Sequence, residues 1–101
     1  MNKKEAENLL KLSRNEIDRI DKDLIDLIHK RTSLAKDVIT AKIALNMDIY
    51  DPNREKVIHE KMQKLAKEKN IDENIIIQLT NILTNLSKFE QQKFVDKLDK
   101  S

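Results

Sequence analysis

Residues 10–45 read LKLSRNEIDRIDKDLIDLIHKRTSLAKDVITAKIAL, and this stretch decides the fold. Its apolar residues recur at spacings of three and four, which is the pattern of one face of an α-helix. The repeat begins at Leu10 and ends at Leu45, and Asn46 then favours the left-handed conformation that ends helices. The pattern therefore predicts a first helix that runs from about residue 5 to about residue 45.

The predicted length of this helix has a consequence for assembly. A helix of about 40 residues is about 60 Å long at 1.5 Å per residue. This length exceeds the diameter of a compact domain of 101 residues. The remaining chain, about 55 residues, is too short to cover such a long apolar stripe. The sequence therefore predicts that a second chain covers part of it.

Two further helices follow the long one. The pair Asp51-Pro52 favours a helix start, with the aspartate as cap and the proline in the first helical position. The second helix is predicted at about 52–69. Asp72 is predicted to cap a third helix at about 73–97.

The composition excludes several other fold classes. The chain has 101 residues, enough for one domain, with no glycine, one proline and no cysteine. A β-sandwich and a glycine-rich phosphate or dinucleotide loop both need glycine. Without cysteine there are no disulfides, thiolate metal sites or cysteine nucleophiles. The predicted fold class is all-α, as a single domain over residues 1–101 with three helices per chain, one of them very long.

Charge and hydropathy patterning bear on location and partners. Twenty basic and 18 acidic residues are interspersed, and the formal net charge is +2. No basic block stands out, so no nucleic-acid partner is expected. No apolar run is long enough for a signal peptide or a membrane span. We expect a cytoplasmic chain without a membrane partner.

Polar side chains interrupt the apolar stripes. Arg31 falls in the middle of the stripe on the first helix, and Lys42 lies 11 residues later on almost the same face. Glu55 takes the first stripe position of the second helix, and Ser87 and Gln91 share one face of the third. Each of these side chains, taken alone, is typical of the edge of an amphipathic helix, where a long aliphatic portion lets the polar group reach water. Together, among aliphatic neighbours, they favour a site for a small dianionic ligand.

Arg14 adds a constraint on that site. It lies 17 residues before Arg31, a separation of roughly 25 Å along a straight helix. One small ligand cannot contact both arginines of the same chain. Arg14 is therefore either uninvolved or supplied to the site by a second protomer.

Taken in order, these residues resemble the all-helical (type II) chorismate mutases. The resemblance runs from about Arg14 to Gln91 and includes three segments: Ile17-Asp18-Arg19-Ile20-Asp21, Arg31…Leu34-Ala35…Lys42 and Asp51-Pro52-Asn53-Arg54-Glu55. It implies an intertwined homodimeric helical bundle with shared active sites. It also implies an isomerase that rearranges chorismate to prephenate, the step of the shikimate pathway that leads to Phe and Tyr.

The resemblance assigns the central roles in catalysis. Arg31 and Arg14 of the partner subunit would bind the two substrate carboxylates. Lys42 and Gln91 would donate hydrogen bonds to the ether oxygen of the breaking C–O bond. A Claisen rearrangement needs no nucleophile, general base, cofactor or metal, and no covalent intermediate forms. Fixed donors that hold the substrate and stabilise the developing charge are enough.

The resemblance also assigns supporting roles around the substrate ring. Glu55 would accept a hydrogen bond from the ring hydroxyl, with Asp51 near it. Ser87 would support a carboxylate, and Arg54 would order the pocket wall.

Other functions stay open at this point. A pyruvate-eliminating relative that acts on isochorismate resembles this family, but typically has an apolar residue at the position of Glu55. A second alternative is a catalytically silent helical dimerisation or regulatory module. Mutase domains also occur fused to other enzymes of aromatic biosynthesis, so association with such an enzyme is a further candidate interaction.

Overall fold

The computed structural model describes residues 1–100, and all its regular elements are helical. They are α1 (Lys3–Ser33), α2 (Ala35–Ala44), α3 (Pro52–Glu68) and α4 (Glu73–Asp99). No strand occurs within residues 1–100, and no helix there is long and apolar enough to cross a membrane. The all-α prediction is confirmed.

The predicted first helix is present as two consecutive helices. Leu34 alone separates α1 from α2. It keeps right-handed helical angles, φ −72° and ψ −13°. Its N–H donates to the carbonyl of Arg31, three residues back, at 3.2 Å, which is the bond of a 3₁₀ turn. Apolar periodicity predicts the helical span but not this local tightening.

Side-chain caps and left-handed residues set the other helix ends. Asn46, just after α2, has φ 57°. The Asp51 carboxylate accepts from the backbone N–H of Arg54 at 3.1 Å, and the proline that follows it begins α3. Asp72 accepts from the N–H of Ile75 at 3.0 Å and caps α4. These predicted ends are confirmed.

The chain divides into two compact units, Met1–Lys30 and a second that begins at Arg31. The first unit is most of α1, a helix without a buried residue. The apolar stripe of this unit is between 48% and 63% exposed at Leu10, Ile17, Ile20, Leu24 and Leu27. The single domain over residues 1–101 and the dimer both stay predictions.

The second unit holds the buried core, in which α4 packs against α2 and α3. Ala35 and Ile39 of α2 and Ala66 of α3 are buried, Ile39 to 1% exposure. Val38, another apolar residue of the repeat between Leu10 and Leu45, is 41% exposed. Ala35 and Ile39 lie four residues apart on one helix face. Val38 lies about 100° from Ile39 around the helix axis, so it falls beside the packed face.

The buried residues of α4 are polar: Thr80, Thr84 and Gln91. By contrast, the apolar residues Leu79 and Ile82 of the same helix are exposed. The Thr80 hydroxyl donates to the carbonyl of Ile76 at 2.7 Å, and the Thr84 hydroxyl bonds a carbonyl three residues back at 3.0 Å. Because their own helix satisfies both hydroxyls, their burial carries little penalty.

Asp72→Ala should lower the free energy of unfolding by about 0.5–2 kcal/mol, because the first turn of α4 loses its side-chain acceptor. Asp72→Asn is the matched control, since asparagine caps helices about as well as aspartate. Urea unfolding at one fixed protein concentration measures both variants. Equal unfolding free energies for the two would contradict the capping role.

Candidate functional site

A cavity of about 280 Å³ opens in the second unit. It lies among the last residues of α1, the helix α2, the start of α3 and the middle of α4. Seven of the eight predicted site residues line it: Arg31, Lys42, Asp51, Arg54, Glu55, Ser87 and Gln91. The eighth, Arg14, belongs to the first unit, where it is exposed. Residues from three predicted helices thus meet at one place, while their individual roles stay predictions.

Lys42 and Gln91 form the centre of the cavity's hydrogen-bond network. The Lys42 ammonium donates to the carbonyl of Ile49 at 2.7 Å and to Oε1 of Gln91 at 2.9 Å. Gln91 is only 3% exposed, and its Nε2 donates to the Ser87 hydroxyl at 3.1 Å. The network fixes the ammonium on α2 and orients the amide on α4, with the amide oxygen toward Lys42 and the nitrogen toward Ser87.

This network leaves donors for a ligand. A lysine ammonium has three N–H groups and a glutamine amide has two. Two bonds of Lys42 and one of Gln91 are made within residues 1–100, so each side chain retains one N–H. The Ser87 hydroxyl accepts from Gln91 and keeps its own hydrogen to donate. Adjacent donors, one of them charged, can converge on a single ligand oxygen.

Arg31 is held by the backbone of α4. Its Nη1 donates to the carbonyl of Leu83 at 3.0 Å, and the residue is half-buried. This bond uses one of the five guanidinium N–H groups and fixes the orientation of the plane. The other groups can bind a carboxylate in the two-pronged geometry that arginine favours.

The first turn of α3 brings acidic and basic side chains to the cavity. The cap Asp51 sets the turn that carries Arg54 and Glu55. The Glu55 carboxylate lies 3.2 Å from the ammonium of Lys88. That ammonium also lies over the ring of Tyr50, 5.2 Å from its centroid. The Glu55 carboxylate therefore forms an ion pair with Lys88 at this end of the cavity.

The charges of the lining suit an anion. Four basic side chains line the cavity, Arg31, Lys42, Arg54 and Lys88, against the two carboxylates of Asp51 and Glu55. The formal charge of the lining is therefore +2, which complements a small dianion. Within residues 1–100 there is no group of three or more His, Cys, Asp or Glu residues placed to hold a metal ion.

Two further polar residues line the cavity, Lys88 and Thr84, and neither was predicted from the sequence. Together with Ser87 and Gln91 they follow the spacing i, i+3, i+4 and i+7, the pattern of one helix face. Extending the predicted pair by this rule would have found both. The remaining wall is apolar and consists of Leu34, Ala35, Val38, Ile49 and Ile58.

The chain matches a known family over most of its length. The sequence model of the family described as chorismate mutase type II matches residues 13–92. This range contains all eight predicted site residues and covers most of the chain.

Individual relatives fall into two groups by length. A chorismate mutase of Methanocaldococcus jannaschii is 45% identical over 83 residues, which are 82% of this chain and 84% of that protein. A bifunctional chorismate mutase/prephenate dehydratase of Buchnera aphidicola subsp. Schizaphis graminum is 35% identical over 92 residues, 91% of this chain but 24% of that protein. A protein of the same description from Aquifex aeolicus is 44% identical over 59 residues, 58% of this chain and 16% of its own length.

Proposed function

The chain belongs to the type II chorismate mutase family, and we propose that its cavity is the place where chorismate is rearranged to prephenate. The activity is that of an isomerase and serves aromatic amino acid biosynthesis. One observation supports the cavity most strongly. The Lys42 ammonium and the Gln91 amide are held 2.9 Å apart inside a lining with a formal charge of +2.

The reaction is concerted and moves no proton. The ether C–O bond of chorismate breaks while a C–C bond forms between the enolpyruvyl arm and the ring, and electron density grows on the ether oxygen. The remaining N–H groups of Lys42 and Gln91 both donate to that oxygen. Because hydrogen bonds already fix both side chains, they stabilise the charge without reorganising during the reaction.

Other lining residues hold the substrate in its reactive shape. Arg31 binds one carboxylate, and the Ser87 hydroxyl supports it. Glu55 accepts from the ring hydroxyl, with Asp51 near it, and Arg54 orders the wall. Holding the arm over the ring removes much of the entropic barrier of the rearrangement. No cofactor takes part in this scheme.

A second copy of the chain completes the site in this proposal. The apolar stripe of the first unit is about half exposed along its length, and exposed stripes of this size mark protein interfaces. Arg14 lies on the same helix, four residues after Leu10 and three before Ile17. A partner helix that covers the stripe would bring Arg14 of the partner subunit to the second substrate carboxylate. The homodimer, its shared sites and a cytoplasmic location are parts of the proposal.

A direct assay tests the proposed function. Purified protein is incubated with chorismate, loss of the diene absorbance is followed, and the product is identified by chromatographic retention and by conversion in acid, since an isomer has the same mass as its substrate. Prephenate supports the mutase. Release of pyruvate from isochorismate, without prephenate from chorismate, would support the lyase, and no turnover of either substrate would support a silent module.

Gln91→Glu should shift the pH optimum toward acid. An amide donates at any pH, whereas a carboxyl group must carry a proton to donate to the ether oxygen. The wild type should keep its activity through neutral pH. The control is Gln92→Glu, because Gln92 is exposed, lies outside the cavity and bonds Asp96. If both variants have the same profile of kcat against pH, Gln91 does not contact the substrate.

Mixed dimers test the shared site. Arg14→Ala and Arg31→Ala homodimers should both be nearly inactive, since every pocket lacks one carboxylate clamp. In a mixed dimer one pocket collects both substitutions and the other collects neither. Co-refolding the two variants should therefore restore roughly a quarter of wild-type activity, if sites are independent and chains pair at random.

The control for this experiment is to mix the two folded variants without unfolding them. An interlocked dimer exchanges chains only by coming apart, so recovery should then be slow or absent. If mixed dimers form on co-refolding and activity stays at the level of the inactive parents, the role of Arg14 is wrong.

A further inference from the structure

Lys88 makes an ion pair that the roles above leave unexplained. Its ammonium lies 3.2 Å from Oε2 and 3.5 Å from Oε1 of Glu55. It therefore contacts both oxygens of the one carboxylate assigned to the ring hydroxyl. The two side chains are 30% and 25% exposed, so both are mostly shielded from solvent. The pair joins α4 to the first turn of α3, across 33 residues of sequence.

A second contact limits where the ammonium can lie. Lys88 stands over the ring of Tyr50 at 5.2 Å, within the distance at which an aromatic face attracts a cation. Tyr50 directly precedes the cap residue Asp51, so the ring and the carboxylate approach Lys88 from the same end of α3. An ammonium held between a ring face and a carboxylate has fewer accessible rotamers than a free lysine.

Glu55 needs such a partner. Lys88 is the basic side chain within ion-pair distance of Glu55 in residues 1–100. A glutamate side chain has three rotatable bonds, and without a partner its carboxylate samples several positions at the cavity edge. An acceptor for one substrate hydroxyl is effective only when it is held near the productive geometry.

We propose that Lys88 is a positioning residue that holds the Glu55 carboxylate in place to accept the hydrogen bond of the substrate's ring hydroxyl. This inference rests on the proposed function of the same cavity. Lys88 acts through Glu55 and does not contact the reacting atoms. Its charge also balances that of Glu55, so the lining keeps the net +2 that suits the dianionic substrate.

The first measurement compares three variants by kcat and KM for chorismate. Lys88→Met keeps the length of the side chain but removes the charge, so Glu55 loses its partner. We expect kcat/KM to fall by about tenfold and no more, because an ion pair that is partly exposed to solvent contributes less than a buried one. Lys88→Arg should restore most of the loss, since a guanidinium also pairs with a carboxylate. Lys93→Met is the matched control. Lys93 also pairs with a glutamate and a ring, Glu90 at 3.1 Å and Phe89 at 4.6 Å, but outside the cavity.

The second measurement asks whether Lys88 works through Glu55. In the Glu55→Ala background the residual activity should change less than twofold on adding Lys88→Met, because the carboxylate to be positioned is gone. A tenfold loss in both backgrounds would mean that Lys88 acts on the substrate directly and would overturn the positioning role. Circular dichroism and unfolding midpoints show that each variant is folded.

The outcomes separate this inference from the function on which it rests. If the wild type makes no prephenate, the proposed function and the positioning role both fall. If the wild type and Lys93→Met are active and Lys88→Met equals them within twofold, only the positioning role is wrong.

Discussion

The hydrogen bond from the Lys42 ammonium to the Gln91 amide oxygen is the contact on which the site depends. It joins α2 to α4 over 49 residues of sequence, at 2.9 Å, in the buried part of the second unit. An ammonium among aliphatic side chains needs partners, because desolvation of a charge is unfavourable. The Ile49 carbonyl and Gln91 supply them. The hydrogen bonds that offset the desolvation of the Lys42 ammonium also fix the N–H groups that Lys42 and Gln91 keep for a ligand.

This arrangement explains how a small helical chain can catalyse a reaction with few chemical groups. In the proposed mechanism the rearrangement needs orientation of the substrate and stabilisation of one oxygen, and side chains that are fixed before the substrate enters would supply both. Arg31 is held by the Leu83 carbonyl, Gln91 by Lys42 and Ser87, and the start of α3 by its cap. The two bifunctional relatives match this chain over 24% and 16% of their own lengths, so the matched region is a minor part of each of those longer proteins.

Local chemistry made much of the fold and site predictable from the sequence. Asn46, Asp51 and Asp72 end or begin helices through their own bonds to neighbouring backbone, so short stretches of sequence suffice. Five of the predicted residues that line the cavity stand out as polar side chains in apolar stripes, namely Arg31, Lys42, Glu55, Ser87 and Gln91, whereas Asp51 and Arg54 were assigned by the family resemblance. The sequence does not decide which face of α2 is buried, since Val38 and Ile39 are adjacent apolar residues and only packing against α4 decides between them.

Lys88 escaped the sequence analysis for a related reason. On a helix rich in charged residues a lysine is normally a solvent-exposed position. Its contact with Glu55 arises only when α3 and α4 pack together. Helical spacing from Ser87 and Gln91 places Lys88 on the cavity face of α4, but its partner Glu55 lies on another helix, and such long-range pairing leaves no periodic signal.

The most direct test of the account is the kcat of Lys42→Ala with chorismate, measured beside Lys36→Ala, a change at an exposed lysine on the same helix α2. If Lys42 meets charge that develops only in the transition state, kcat should fall about 10²–10³-fold, with a much smaller change in KM. Lys36→Ala should match the wild type. A Lys42→Ala enzyme with kcat within threefold of the wild type would contradict electrostatic catalysis from this site.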